Sequence, residues 1–134
     1  MEAKSFVFTV VEGASVVRLE ERRRNFSGLV LLGAQSVGWL ISMMESLLWY
    51  PGEKDFVRSF REGSKVLIVR RGGNVAGRFL EVAVYAVGGR RGIIYFLEGY
   101  EGRGWRKVAL ELGKSVIFSN PRMGLTCLVL HQPQ

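Results

Sequence analysis

Residues 63–97, GSKVLIVRRGGNVAGRFLEVAVYAVGGRRGIIYFL, read as three antiparallel strands joined by two glycine-marked turns. Residues 66–71, 78–87 and 92–97 are dense in β-branched and aromatic side chains, which suit a pleated, half-buried surface. Gly72-Gly73-Asn74 and Gly88-Gly89 supply the positive-φ freedom that tight hairpin connections need. Arg70-Arg71 precedes the first turn and Arg90-Arg91 follows the second, so this meander carries paired guanidinium groups near its hairpin ends.

Working outward, the chain on the N-terminal side offers the same kinds of element. Residues 6–12 alternate bulky and smaller side chains. Residues 15–24 keep a period of two, with Val17 and Leu19 on one side and Arg18, Glu20, Arg22 and Arg24 on the other. Residues 29–32 form a short apolar strand. From Ala34 the period changes to about 3.6, and Val37, Leu40, Ile41, Met44, Leu47 and Leu48 make one stripe of a helix that starts near Gln35 or Ser36 and finishes before Pro51-Gly52. On the C-terminal side, residues 101–118 return to helical spacing with Trp105, Val108, Ala109, Leu112 and Val116 on one face.

The order strand, strand, strand, helix therefore occurs twice. A Gly-Trp pair stands near the start of each helix, Gly38-Trp39 and Gly104-Trp105, and a Leu-Glu pair in each middle strand, Leu19-Glu20 and Leu80-Glu81. A single unit of this length cannot cover its own apolar face, so two copies must bury their helices and sheets against each other. The expected fold is α+β: two βββα repeats in one pseudo-symmetric domain of curved antiparallel sheets with two packed helices. Repeat I runs over about residues 5–50 and repeat II over about 63–118. The linker 51–62 is read as one or two helical turns pinned by Phe56 and Phe60, and the tail 119–134 holds a short strand over residues 125–130.

The chain of 134 residues has a formal charge of +7 and a pI near 10.1, yet is 48% hydrophobic, which ties the basicity to a folded surface and not to a disordered tail. Fourteen of the nineteen cations are arginine, whose planar fork fits phosphate and stacks on bases. A polyanion is the expected partner. Cys127 is the single cysteine, which excludes an internal disulfide and fits a reducing compartment. Polar residues interrupt the most apolar stretch, 29–48, so no membrane span is expected. The first residues carry no secretory signal pattern, and the expected location is nuclear or cytoplasmic.

The inventory argues against catalysis. His131 lies three residues from the end of the sequence, Cys127 has no histidine partner, and Asp55 is the single aspartate. No metal-ligand spacing, nucleophile elbow, Walker loop or dinucleotide fingerprint is present, so no cofactor and no metal are expected. Gly72, Gly73 and Gly77 lie between strands with no helix start after them, which removes the physical basis of a phosphate loop. The glutamates at 20, 81, 98 and 101 are expected to be solvated or salt-bridged. What remains is a sheet on which arginine and aromatic residues interleave: Arg70, Arg71, Asn74, Arg78, Phe79, Tyr85, Arg90, Arg91 and Tyr95 in the second half, and Arg18, Arg22, Arg24 and Phe26 in the first. Cations that neutralise phosphate beside aromatic faces that stack bases suit unpaired DNA or RNA. Glu20, Glu21 and Glu81 among the arginines motivate a second expectation, a protein interaction or homodimerisation module of the same fold, with Trp39 and Met43 as a partner surface.

The segment NVAGRFLEVAVYAVGGRRGIIYFLEG, followed by a helix containing WRKV, resembles the PUR repeat of the purine-rich-element binding, Pur-alpha-like family. Asn74, Gly77, Arg78, Phe79 and Leu80 carry the likeness, whereas Ala76 and Glu81 stand where that family usually has lysine. The resemblance covers about residues 66–118, and the first half only by the order of its elements. It implies a PUR domain of two intertwined repeats, similar also to the whirly-like group. It further implies single-stranded DNA or RNA as partner, homodimers or larger assemblies, and roles in transcription regulation or RNA handling.

Overall fold

The three strands expected between residues 63 and 97 are present in a computed structural model, which describes residues 4–11, 16–49, 55–74, 77–86, 88–89, 91–98, 103–117 and 127–132. They belong to a four-stranded sheet. In chain order the elements are β1 (Lys4–Val11), β2 (Val16–Arg23), β3 (Phe26–Gly33), α1 (Ala34–Leu47), β4 (Val57–Glu62), β5 (Lys65–Asn74), β6 (Gly77–Tyr85), β7 (Arg91–Leu97), α2 (Arg103–Ile117) and β8 (Cys127–Gln132). Sheet A has the order β3-β2-β1-β8 and sheet B the order β4-β5-β6-β7; every pairing is antiparallel. The α+β class is as expected.

Two elements depart from the sequence reading. Residues 57–62, expected as helical turns of a linker, are strand β4, with Phe60 opposite Leu67 and Glu62 opposite Lys65. A spacing of four puts Phe56 and Phe60 on one side of a helix, but it also puts them on one side of a strand, where every second residue shares a face. The two-residue connection Gly63-Ser64, with Gly63 at φ 61°, is the hairpin signal that decides for strand. In the tail, residues 127–132 form β8 against β1, with Phe6 opposite Leu130. With β8 placed ahead of β1, both sheets acquire one order, four strands followed by a helix. The fourth strand of sheet A is thus drawn from the opposite end of the chain.

Burial follows the period of two. Phe6, Phe8, Val17, Leu19, Val30 and Leu32 line the inner face of sheet A, and Leu67, Val69, Leu80, Val82, Val84, Ile94 and Phe96 that of sheet B. Val37, Leu40, Met44 and Leu47 of α1 and Trp105, Val108 and Leu112 of α2 join them in one core. The Phe6 and Phe96 rings, 4.7 Å apart, tie the sheets together, and the Trp105 indole N–H donates to the Phe96 carbonyl at 3.0 Å, so a buried donor is satisfied. Strands β3 and β7 cross at two glycines. A Cβ on Gly28 would lie 2.2 Å from the Ile93 carbonyl oxygen, and one on Gly92 2.1 Å from that of Leu29.

Helix α1 buries Val37, Leu40, Met44 and Leu47 of the expected stripe, leaves Ile41 and Leu48 half-buried, and has no capping side chain of its own at Gly33. Glu62, from β4, takes that role by accepting from the Ser36 N–H at 2.8 Å and the Ser36 hydroxyl at 2.6 Å. The face of α1 expected to be open is occupied: Trp39 stacks on Phe60 at 5.4 Å, and Met43 packs against the core. No helix among the described residues is long and apolar enough to cross a membrane.

Candidate nucleic-acid interface

The ladder of sheet B sorts the candidate residues by face. Arg70, Glu81 and Tyr95 lie in one cross-strand row, Gly72, Phe79 and Leu97 in the next, and Arg61, Val66, Tyr85 and Arg91 in a third. These rows share the face opposite the buried Leu67, Val69, Leu80 and Val82, so Arg70, Phe79, Tyr85, Arg91 and Tyr95 come together on the outer surface of sheet B. Phe26, at the start of β3, joins them from sheet A: its ring lies 6.1 Å from Tyr95, and Tyr95 meets Phe79 edge-on at 5.6 Å. The glycine at 72 makes room for this row, since a Cβ there would sit 2.7 Å from the Phe79 ring. Arg23 places its guanidinium 4.5 Å over Phe26.

The other arginines fall elsewhere. Arg18 and Arg22 lie on the outer face of sheet A, on either side of Glu20, and Arg24 is exposed in the turn between β2 and β3. Arg71 and Arg78 have the inward phase of their strands. Arg78 forms two hydrogen bonds to Glu98. Asn74 closes the β5–β6 ladder opposite Gly77, and Arg90 lies outside the described residues. The sheet therefore gathers five of its own candidates and Phe26, while Arg18 and Arg22 occupy a separate surface and Arg24 stands in the turn beside Phe26.

Carboxylates decide which of these cations are available. Arg22 grips Glu20 through Nε at 2.9 Å and Nη2 at 3.2 Å, and Arg18 approaches the same carboxylate at 3.8 Å. The Arg22 hydrogen bond holds the Glu20 carboxyl below its ordinary range. Arg70 donates to Glu81 at 2.7 Å, which raises its own pKa further. These glutamates are salt-bridged, as expected for 20, 81 and 98; Glu101 lies outside the described residues. By contrast, Arg61 and Arg91 stand exposed at opposite edges of sheet B, with no acid bonded to either among the described residues and with the 37% exposed Tyr85 in the row between them.

Sequence reasoning missed three residues here. Arg61 was hidden in the supposed linker; the Gly63-Ser64 hairpin would have exposed it as a strand residue in phase with Val57 and Ser59. Lys4 and Glu21 are buried, although their phase with Phe6 and Phe8, and with Val17 and Leu19, marks them as inward positions. They pair at 3.2 Å, with Arg23 Nε 3.7 Å from the same carboxylate. Burial pushes the Lys4 ammonium below its ordinary pKa, while the charge and hydrogen bond of Glu21 act against that shift.

Among the described residues no three His, Cys, Asp or Glu side chains converge in a way that would hold a metal ion. What the outer face of sheet B offers is charge and flat aromatic surface. No protein-family model matches the chain, and no curated protein matches it.

Proposed function

We propose that this protein binds single-stranded DNA or RNA without catalysing a reaction on it, and that the outer face of sheet B is the platform. The observation that carries this reading is the row Arg61, Val66, Tyr85, Arg91, in which two exposed guanidinium groups, with no acid bonded to either among the described residues, flank an exposed ring. A strand laid across the row meets a phosphate ligand at each edge and a stacking surface between. The row Phe26, Tyr95, Phe79 extends the aromatic surface. The two-sheet order, four strands and a helix in each half, supports a PUR-like or whirly-like arrangement, with transcription regulation or RNA handling in the nucleus or cytoplasm as its setting.

Fluorescence anisotropy with labelled single- and double-stranded oligonucleotides at two salt concentrations tests the proposal. Preference for the unpaired strand, weakened by salt, supports it. Absence of binding at low salt contradicts it.

A second reading has its own observation. Glu20, Glu81 and Glu98 hold Arg18, Arg22, Arg70 and Arg78, which leaves less free charge than the formula suggests and favours an interaction or homodimerisation module. Absence of oligonucleotide binding together with a concentration-dependent dimer would select that reading.

A further inference from the structure

The two sheets meet edge on face at two places. At the first, the free edge of β7 rests on the inner face of sheet A. Glu21 accepts the Tyr95 N–H at 2.7 Å, Lys4 donates to the Tyr95 carbonyl at 3.2 Å, and the two side chains pair with each other. A lysine and a glutamate thus supply what a neighbouring strand would supply.

The second meeting is built from matching positions. Glu21 stands opposite Phe6 and Gly28 in its ladder, and Val84 stands opposite Leu67 and Gly92 in its own. Lys4 lies two residues before Phe6, as Lys65 lies two before Leu67. The Leu29 carbonyl is aimed at Gly92, away from β2, as the Ile93 carbonyl is aimed at Gly28. Alternation along a strand then turns the Leu31 N–H and C=O outward from β3, as those of Tyr95 turn outward from β7.

At this second place the lysine is kept and the glutamate is replaced by valine. Two adjoining clefts of about 360 and 660 Å³ open here, and Leu31, Lys65 and Val84 line both. Among the described residues no group from outside sheet A hydrogen-bonds Leu31, and no acid lies within salt-bridge distance of Lys65. Glu62 lines the smaller cleft, but its carboxylate is committed to the first turn of α1.

We propose that these clefts bind the carboxylate of a short aliphatic acid in the place that Glu21 fills at the other junction. One oxygen accepts from the Leu31 N–H and the other from the Lys65 ammonium, while the apolar body lies against Leu32, Leu67 and Val84. Such an anion completes an edge strand that is otherwise left open, and adds a directly bonded carboxylate to Lys65, whose charge Glu62 feels only through space. The carboxylate is either a free acid or a side chain of a partner protein; both present the same chemistry.

The test is a titration of the full chain with hexanoate, followed by the ¹H–¹⁵N amide signals. The expected result is saturable movement centred on Leu31 and Lys65 at millimolar concentration, with no such movement on adding hexanol or hexylamine. Lys65→Met should weaken binding about tenfold or more, because a charge-assisted bond is lost. Val84→Glu should abolish it by placing a carboxylate in the cleft, and if that variant does not fold the Lys65→Met comparison decides. An acetylated peptide with a central glutamate that binds more tightly than hexanoate assigns the acid to a partner protein, and one that binds more weakly assigns it to a free acid. No movement at Leu31 up to about 50 mM hexanoate, an equal response to hexylamine, or undiminished binding by Lys65→Met would overturn the proposal. Arg91 lines the larger cleft, so competition from a single-stranded oligonucleotide that persists in Arg91→Ala would also overturn it, by making Leu31 and Lys65 part of a phosphate track.

Discussion

The outer faces of the two sheets are both furnished with arginine, and they differ in where the acids stand. On sheet A, Arg18, Glu20 and Arg22 follow one another along one side of β2, so a single carboxylate draws both guanidinium groups to itself. On sheet B, Glu81 holds Arg70, but Arg61 and Arg91 sit at the two edges of the sheet beyond its reach. Counting cations therefore says little about anion binding; cross-strand register says more. The same contrast recurs inside, where Glu21 completes one junction between the sheets and Val84 leaves the other open.

The interior contrast yields the largest expected effect. Glu21→Ala strands the Lys4 ammonium and uncovers the Tyr95 N–H, so it should lower stability by about 3–5 kcal/mol. Val84→Ala, at the matching position, removes two methyl groups and should cost about 2 kcal/mol. Urea unfolding of both variants checks this, and equal losses would dissolve the distinction between a closed and an open junction.

The crossing of β3 and β7 comes next. Gly92→Ala would force a Cβ against the Leu29 carbonyl, which lies 2.1 Å from the ideal position, and should destabilise by about 1–3 kcal/mol. Gly38→Ala, on the exposed side of α1 with nothing within 4 Å, should stabilise by about 0.5–1 kcal/mol. Thermal midpoints moving in opposite directions would sharpen the account. Two midpoints falling together would argue against the close approach of the two strands.

A smaller effect concerns the helix starts. Burial pushes the Glu62 carboxyl up, but the Ser36 hydroxyl, the N–H groups of Ser36 and Gln35 and the nearby Lys65 charge outweigh it, so the group lies below its ordinary carboxylate value. Its contribution is complete above the unfolded-state pKa and is lost as pH falls through the lower, folded-state one. Glu62→Gln should cost about 1 kcal/mol at neutral pH and reduce the acid-side slope of stability against pH. An unchanged slope in denaturant titrations from pH 7 to pH 3 would show that the carboxylate contributes nothing to α1.

Much of the architecture was legible because periodicity reports burial directly. Val17 and Leu19, the stripe Val37, Leu40, Met44, Leu47, and the stripe Trp105, Val108, Leu112 are buried as their spacing required. Strand β4 was not legible from Phe56 and Phe60, whose spacing of four fits helix and strand alike. The return of β8 to sheet A is a long-range choice that no local pattern encodes. Lys4 and Glu21 had the phase of the core, but charge argues for surface until a partner is known, and that partner is an edge of the other sheet. The site was gathered in part: the ladder brings Arg70, Phe79, Tyr85, Arg91 and Tyr95 onto one face, whereas the pairing of Arg70 with Glu81 depends on a register that sequence alone leaves open.

The most direct test compares two double variants by the salt dependence of single-stranded oligonucleotide binding. Arg61→Ala with Arg91→Ala should weaken binding severalfold and flatten the slope of log K against log salt by about 1.4, two phosphate contacts at roughly 0.7 each. Arg18→Ala with Arg22→Ala should leave both affinity and slope within error of the unmodified protein. The reverse pattern, or an unaltered slope in the Arg61 and Arg91 variant, would contradict the assignment of the outer face of sheet B as the binding platform.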